Sequence, residues 1–180
     1  VTEGVDSCFY LYINGKEVGF SQISHKLGEF DITPYLKDGE NKIDMLVVKW
    51  CFGSYLECQD KWRFTGIFRD IYLLKRPEEH IIDYTITTDI DGENGVVTFI
   101  PASNIPTTLR LLGESKLCIG EPVSFTVKNA KLWSAEQPYL YEMEIECGEE
   151  IIFTRVGIKT SEVKDGLYLF NGKPIKFYGV

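Results

Sequence analysis

The residues best equipped for chemistry crowd into one stretch, Gly53-Ser54-Tyr55-Leu56-Glu57-Cys58-Gln59-Asp60-Lys61-Trp62-Arg63-Phe64-Thr65-Gly66-Ile67-Phe68-Arg69-Asp70, dense in rings and charges and free of alternation. A long irregular loop in a small β-domain costs entropy to order and is commonly functional. Its carboxylates Glu57 and Asp60 can be read as a glycosidase pair, an acid and a nucleophile about 5–5.5 Å or about 6.5–9.5 Å apart. Closeness in sequence does not set such a spacing within a loop. The competing reading is bracing: Arg63, Arg69, Glu57 and Asp70 tie the loop to a sheet through charge-assisted hydrogen bonds, with Trp62 and Phe68 buried beneath. We favour bracing for every residue here except Asp60.

The remaining candidates are weaker. His25 and His80 are the two histidines, far apart, and neither lies near a Ser- or Cys-centred nucleophile motif, so a triad is not indicated. Trp133 with Tyr139 and Tyr141 could stack on a sugar face, but a core Trp closing an immunoglobulin-like sandwich is the favoured reading. No glycine cluster follows a strand and opens a helix, which sets nucleotide binding aside. Five widely spaced cysteines, Cys8, Cys51, Cys58, Cys118 and Cys147, form no CxxC pair, which indicates reduced thiols and a cytoplasmic setting rather than a disulfide framework or a zinc site.

The elements that must position these residues read as strands. Phe9-Tyr10-Leu11-Tyr12-Ile13 alternates, Asn14-Gly15 supplies the positive φ angles of a tight turn, and Lys16-Glu17-Val18-Gly19-Phe20 returns. Leu167-Tyr168-Leu169-Phe170 before Asn171-Gly172 repeats the pattern, and Asp91-Gly92-Glu93-Asn94-Gly95 separates two β-branched runs. Further strands are expected over 42–50, 68–75, 81–89, 96–100, 107–112, 123–127, 140–147 and 151–158. The best helix candidate, Thr33-Pro34-Tyr35-Leu36-Lys37, supports one turn before Gly39. Many short strands without crossover helices predict an all-β protein of sandwich architecture.

Composition narrows the partners. With 44% hydrophobic residues, 13% aromatic and 26% charged, the chain has the makings of a packed core. Nineteen Lys and Arg against 27 Asp and Glu leave a formal charge of −8, which argues against nucleic acid. No apolar run approaches the ~18–20 residues that span a bilayer, so no membrane is expected. A chain that starts at Val1 and stops at Val180 after a strand-like run suggests part of something longer.

Residues 53–70 resemble the signature of the large bacterial β-galactosidases of glycoside hydrolase family two. Upstream, Asn14-Gly15-Lys16-Glu17-Val18-Gly19-Phe20, Glu29-Phe30-Asp31-Ile32 and Gly39-Glu40-Asn41 resemble the second half of that family's jelly-roll sugar-binding domain. Downstream, residues 132–141 resemble the end of its immunoglobulin-like domain, and Arg155-Val156-Gly157-Ile158 with residues 165–174 resembles the passage into its barrel. The family often carries Asp where this chain has Phe52 and Cys58, two local charges fewer.

The resemblance implies a partial jelly-roll sandwich over 1–76, an immunoglobulin-like β-sandwich over 77–163, and a hairpin at 164–180 leading into a catalytic (β/α)₈ barrel beyond this chain. It implies a retaining hydrolase of terminal β-D-galactosides such as lactose, whose catalytic glutamates lie past Val180, so that these 180 residues alone are expected to be inactive. β-Glucuronidase and β-mannosidase activities fit the signature less well. The family's aspartate after Glu-x-Gln touches galactose and ligates sodium, and Asp60 matches it. Sodium, and magnesium in the parent enzyme, are the implied cofactors, with none expected to stay on this portion, since one carboxylate is too few oxygens. The resemblance implies a homo-oligomer, a tetramer or a dimer, for the full enzyme, and the exposed strand edges of half a jelly roll are expected to pair with another copy or stay mobile. The alternatives are a freestanding carbohydrate-binding or protein-interaction module, and a structural sandwich of a secreted or surface protein.

Overall fold

A computed structural model of the chain describes residues 1–57, 62–177 and 179. The protein is nearly all β, as its alternation predicts, and divides into two compact units, Val1–Lys75 and Arg76–Val180.

In the first unit, strand β1 (Val5–Asp6) leads into β2 (Cys8–Ile13), which turns at Asn14-Gly15 into β3 (Lys16–Ser21). Both turn residues have positive φ, 52° and 79°, the backbone that the Asn-Gly pair was expected to adopt. The later β4 (Ile43–Val48) pairs antiparallel with β2 on its other side, so β2 is the middle strand of three. Period-two alternation drives Phe9, Leu11 and Ile13 to one buried face. Val5, Phe9 and Leu11 pack there with Val18, Phe30, Ile32, Met45 and Val47. Gly19 makes room for this packing, since a Cβ at that position would lie 2.4 Å from the Phe30 ring.

Two expectations fail in this unit. The signature does not begin as irregular loop: Phe52–Glu57 forms helix α1. Its start is fixed by reciprocal bonds, with Cys51 N–H donating to Ser54 Oγ at 3.0 Å and Ser54 N–H to the Cys51 carbonyl at 3.1 Å. Residues 68–75, read as a strand, make no continuous ladder. After β5 (Gly66–Ile67), which pairs with β1, they run beside residues 1–4 through scattered backbone bonds, such as Glu3 N–H to the Asp70 carbonyl. The alternation is present, but the partner strand is too short to continue the register. The single turn expected near Thr33 is a 3₁₀ turn over Thr33–Tyr35.

The second unit is a sandwich. One sheet orders β10 (Val123–Val127), β7 (Asn94–Pro101) and β6 (Tyr84–Asp91). The other orders β12 (Glu150–Val156), β11 (Tyr141–Cys147), β8 (Thr107–Leu111) and β9 (Glu114–Cys118). Inward residues of both sheets, Val97, Phe99, Phe125, Leu109, Met143 and Ile145 among them, meet in one core. Strands β13 (Ser161–Lys164), β14 (Leu167–Phe170) and β15 (Lys173–Pro174) form a separate three-stranded sheet around the second Asn-Gly turn.

Trp133 does not close this sandwich. It is half-buried, edge-on to Phe170, with the Lys159 ammonium 4.6 Å from its ring centroid, while Phe99, Phe125 and Tyr141 fill the core. Its place is set by Gly157, where a Cβ would come within 2.9 Å of the indole. The chain therefore uses the Trp as an edge plug over a glycine rather than as a central ring.

Candidate functional site

Two residues within the signature segment, Glu57 and Arg63, reach a buried carboxylate through serine hydroxyls. Asp6 ends β1, paired with Gly66 across the ladder, and is only 1% exposed. Its Oδ1 accepts from two serine hydroxyls, Ser7 Oγ at 2.9 Å and Ser24 Oγ at 3.0 Å. Ser24, on the segment after β3 and fully buried, also reaches Glu57 Oε2 at 2.8 Å, and Glu57 is the last residue of α1. Ser7 Oγ lies 2.7 Å from the Lys49 carbonyl and accepts from Arg63 Nη1 at 3.5 Å. Arg63 Nη2 donates to the Ser54 carbonyl at 2.9 Å, and the guanidinium lies 4.8 Å from the Trp50 ring centroid.

The bracing expectation holds for Glu57 and Arg63 and fails for the rest of the set. Arg69 lies over the Phe68 ring, and Asp70 contributes its backbone carbonyl to Glu3. Trp62 is not buried beneath the loop; at 86% exposure it is among the most solvent-facing side chains of the unit. The ring that Arg63 covers is Trp50, because the hydrogen bonds to Ser54 and Ser7 draw the guanidinium toward the start of α1. Phe68 is half-buried and stacks on Phe64 at 4.9 Å, with His25 against it at 5.1 Å. His25 is exposed, and His80 Nδ1 sits 2.9 Å from the Pro77 carbonyl.

Asp60, the sugar- and sodium-contact residue of the sequence reading, lies outside the described residues, as does Cys58. Sequence reasoning missed Asp6, Ser7 and Ser24. A signal was available in Gly4-Val5-Asp6-Ser7-Cys8-Phe9, where an acid interrupts a run otherwise fit for a buried strand. Around the anchored segment the surface is aromatic: Trp50, Phe52, Tyr55 and Trp62 are all more than half exposed.

Three of the described cysteines, Cys8, Cys118 and Cys147, are core material. Burial, and then Cys51 beside it, pushes the Cys8 thiol up to about 11, and burial also raises Cys118 and Cys147. Thiols held protonated in this way are poor nucleophiles. Among the described residues no group of three or more His, Cys, Asp and Glu could hold a metal ion. No helix among them is long and apolar enough to cross a membrane. In the second unit a shallow cleft of about 450 Å³ is lined by Thr88, Asp89, Ile90, Ser161, Glu162 and Asn171.

Comparison with known proteins follows this division. Residues 1–77 match the family described as "Glycosyl hydrolases family 2, sugar binding domain", and residues 72–159 match "Glycosyl hydrolases family 2". The chain is 41% identical to a β-galactosidase of Actinobacillus pleuropneumoniae across 99% of its length, and 40% identical to that of Staphylococcus xylosus across 98%. It spans 19% of the length of each of these relatives. Among solved structures it superposes on a β-glucuronidase of an uncultured Clostridium species with a TM-score of 0.80 at 25% identity, covering 98% of this chain and 34% of that one. A Ruminococcus gnavus β-glucuronidase gives 0.84 at 21%, covering 99% and 35%, a likeness of fold alone.

Proposed function

Because the chain belongs to glycosyl hydrolases family 2, we propose that it is the non-catalytic front of a β-galactosidase, a retaining hydrolase of terminal β-D-galactosides such as lactose. The observation that carries this reading is the signature at residues 53–70, set within a chain 41% identical to a β-galactosidase along nearly its whole length. The acid/base and nucleophilic glutamates belong to a barrel outside these residues. The role of this portion is to form one wall of the sugar site and part of the subunit contacts.

In this reading Asp60 contacts galactose and contributes one ligand to a sodium ion, with the other oxygens supplied from elsewhere in the parent enzyme. The exposed rings Phe52, Tyr55 and Trp62 supply the apolar surface that another part of the enzyme covers. The parent works as a homo-oligomer in the cytoplasm.

The test is hydrolysis of chromogenic β-galactoside and β-glucuronide by the full-length protein and by residues 1–180, with and without Asp60→Ala and with sodium varied. Galactoside turnover by the full-length protein that falls with Asp60→Ala and loses its sodium response, beside an inert short chain, is the expected result. Preference for the glucuronide would replace the substrate. Turnover by residues 1–180 alone would make Glu57 and Asp60 a catalytic pair and remove the reading.

A further inference from the structure

We propose that β12 (Glu150–Val156) is a contact between two copies of this chain: its free edge pairs antiparallel with the same edge of a second copy about a two-fold axis at Ile152, which sets Phe153 against the partner's Ile151 and Arg155 against the partner's Glu149. The inference rests on the homo-oligomer of the reading above and names the strand through which its subunits meet.

A sheet edge presents unpaired N–H and C=O groups, and natural proteins blunt such an edge with charge, proline, a very short strand or a covering group. The other edges of the second unit are treated in this way. Strand β9 carries Glu114 and Lys116, and Lys116 Nζ also donates to the Ser124 carbonyl of β10 at 2.7 Å. Strand β13 carries Glu162 and Lys164, and β15 is only Lys173-Pro174. Strand β6 carries Asp89 and Asp91, and its Thr88 hydroxyl bonds the backbone of Lys159. Strand β12 has none of these devices between Ile151 and Thr154. It ends its sheet, keeps an unbroken register with β11 over seven residues, and exposes Ile151 at 51% and Phe153 at 76%. A long, regular and apolar edge is a template for a further strand.

The backbone limits which residues can pair. Cys147 and Glu150 close the two-residue turn Gly148-Glu149, so Glu150, Ile152, Thr154 and Val156 direct their N–H and C=O groups to β11, whereas Ile151, Phe153 and Arg155 direct theirs to the free edge. A one-residue slip would set the outer face of one sheet beside the buried face of the other, so odd-numbered residues must meet odd-numbered ones. Centred on Phe153, the pairing sets each Arg155 against an Ile151. Centred on Ile151, it sets each Phe153 against a Glu149. Centred on Ile152, it joins Ile151 to Phe153 twice and Arg155 to Glu149 twice, apolar to apolar and positive to negative. Glu149 and Arg155 are both exposed. Glu144 and Glu146 on the neighbouring β11 are paired with Arg110, which reduces their repulsion of an incoming strand. The register at Ile152 is thus self-complementary in shape and charge, as a contact between identical surfaces requires.

The test uses the full-length protein and three variants, Glu149→Arg, Arg155→Glu and Phe153→Lys. Subunit mass is read by sedimentation equilibrium over a concentration series, and folding is checked by thermal unfolding. Each variant is expected to weaken association through this edge by about 10- to 100-fold, because each change enters a two-fold contact twice. Mixing Glu149→Arg with Arg155→Glu is expected to restore the mass of the parent, since every contact in a mixed pair joins opposite charges, whereas each variant alone faces its own sign. Equal masses and dissociation constants for the parent and all three variants overturn the proposal, as does a mixture that fails to reassemble. A mass that holds while Phe153→Lys unfolds at a lower temperature would mean that another part of the parent chain covers the edge, and this also overturns it. Should a charge variant fail to fold, Phe153→Lys decides the question by its mass. A parent that is monomeric throughout removes the homo-oligomer and this contact together; an oligomeric parent whose variants stay assembled removes the contact alone.

Discussion

Arg76 and Glu150 form a bidentate pair in the second unit, with Arg76 Nε donating to Oε1 and Nη2 to Oε2, each at 2.9 Å. The same carboxylate accepts the Ile81 N–H at 2.8 Å, so Glu150, at the start of β12, fastens the segment that enters the sandwich to the β11–β12 hairpin. Burial works to raise the Glu150 carboxyl, but the Ile81 amide and the Arg76 guanidinium outweigh it and hold it below the ordinary value of 4.5. A carboxylate depressed in the folded state contributes stability above its unfolded pKa and loses it as pH falls through the folded one. Glu150→Gln is therefore expected to cost about 1.5–3 kcal/mol at pH 7, and the gap to the parent sequence should begin to narrow once the pH falls below the unfolded carboxyl value of about 4.3. Urea unfolding of both proteins at pH 7 and at pH 3.5 measures this; a gap that is the same at both values refutes the charge-based account.

Gly157 and Trp133 lead to a second expectation. A Cβ at Gly157 would stand 2.9 Å from Cγ and Cδ1 and 3.0 Å from Cβ of the indole, close to the root of the side chain, where rotation offers little relief. Gly157→Ala should cost about 1–3 kcal/mol as an overpacking change and shift the Trp133 resonance in a ¹⁹F-tryptophan spectrum. An alanine variant as stable as the parent, with that resonance unmoved, would show that the Trp is not seated on the glycine.

These two sites mark the limit of what the sequence discloses. The hairpins were legible because Asn-Gly encodes its own backbone, as the φ angles at Asn14, Gly15, Asn171 and Gly172 bear out. Strand β10 coincides with its expected span for a similar reason: alternating Val123, Phe125 and Val127 need nothing beyond a core to face. Helix α1 was not legible, since its start depends on Ser54 meeting Cys51 rather than on any periodicity. The failed strand at 68–75 and the edge position of Trp133 turn on which partner the fold supplies, information that a local pattern lacks. Asp6 belongs to the same class. That it is buried, and tied to Glu57 and Arg63 through serines 18 and 1 residues away along the chain, exists only once the sheet has formed.

Asn14 carries more than its turn. Its Nδ2 donates to the Tyr35 carbonyl at 3.0 Å and to Asn41 Oδ1 at 2.8 Å, and its Oδ1 accepts the Lys42 N–H at 3.0 Å. The side chain thus ties the β2–β3 turn to the segment that begins β4. Asn14→Gly keeps the positive φ and removes the bonds, whereas Asn14→Ala loses both. The glycine variant should be destabilised by about 1–3 kcal/mol and the alanine variant by about 1 kcal/mol more, measured by denaturant unfolding. If glycine is as stable as asparagine, the turn geometry alone accounts for the residue.

Cys8 offers a chemical readout of the first unit. With its thiol raised from 9.0 to about 11, by burial first and then by Cys51, it holds about 100-fold less thiolate at pH 8 than an ordinary cysteine. The folded state favours the protonated thiol, so this contribution to stability is whole below the unfolded pKa near 9 and declines as pH rises above it. Alkylation of the native chain by iodoacetamide at pH 8, followed by peptide mass spectrometry, should leave Cys8 unmodified while the same chain in urea reacts freely. Raising the pH from 8 to 10 should lower the urea midpoint of the parent by more than that of Cys8→Ala. Rapid native alkylation of Cys8 would place the start of β2 in solvent, against the 3% exposure of Cys8.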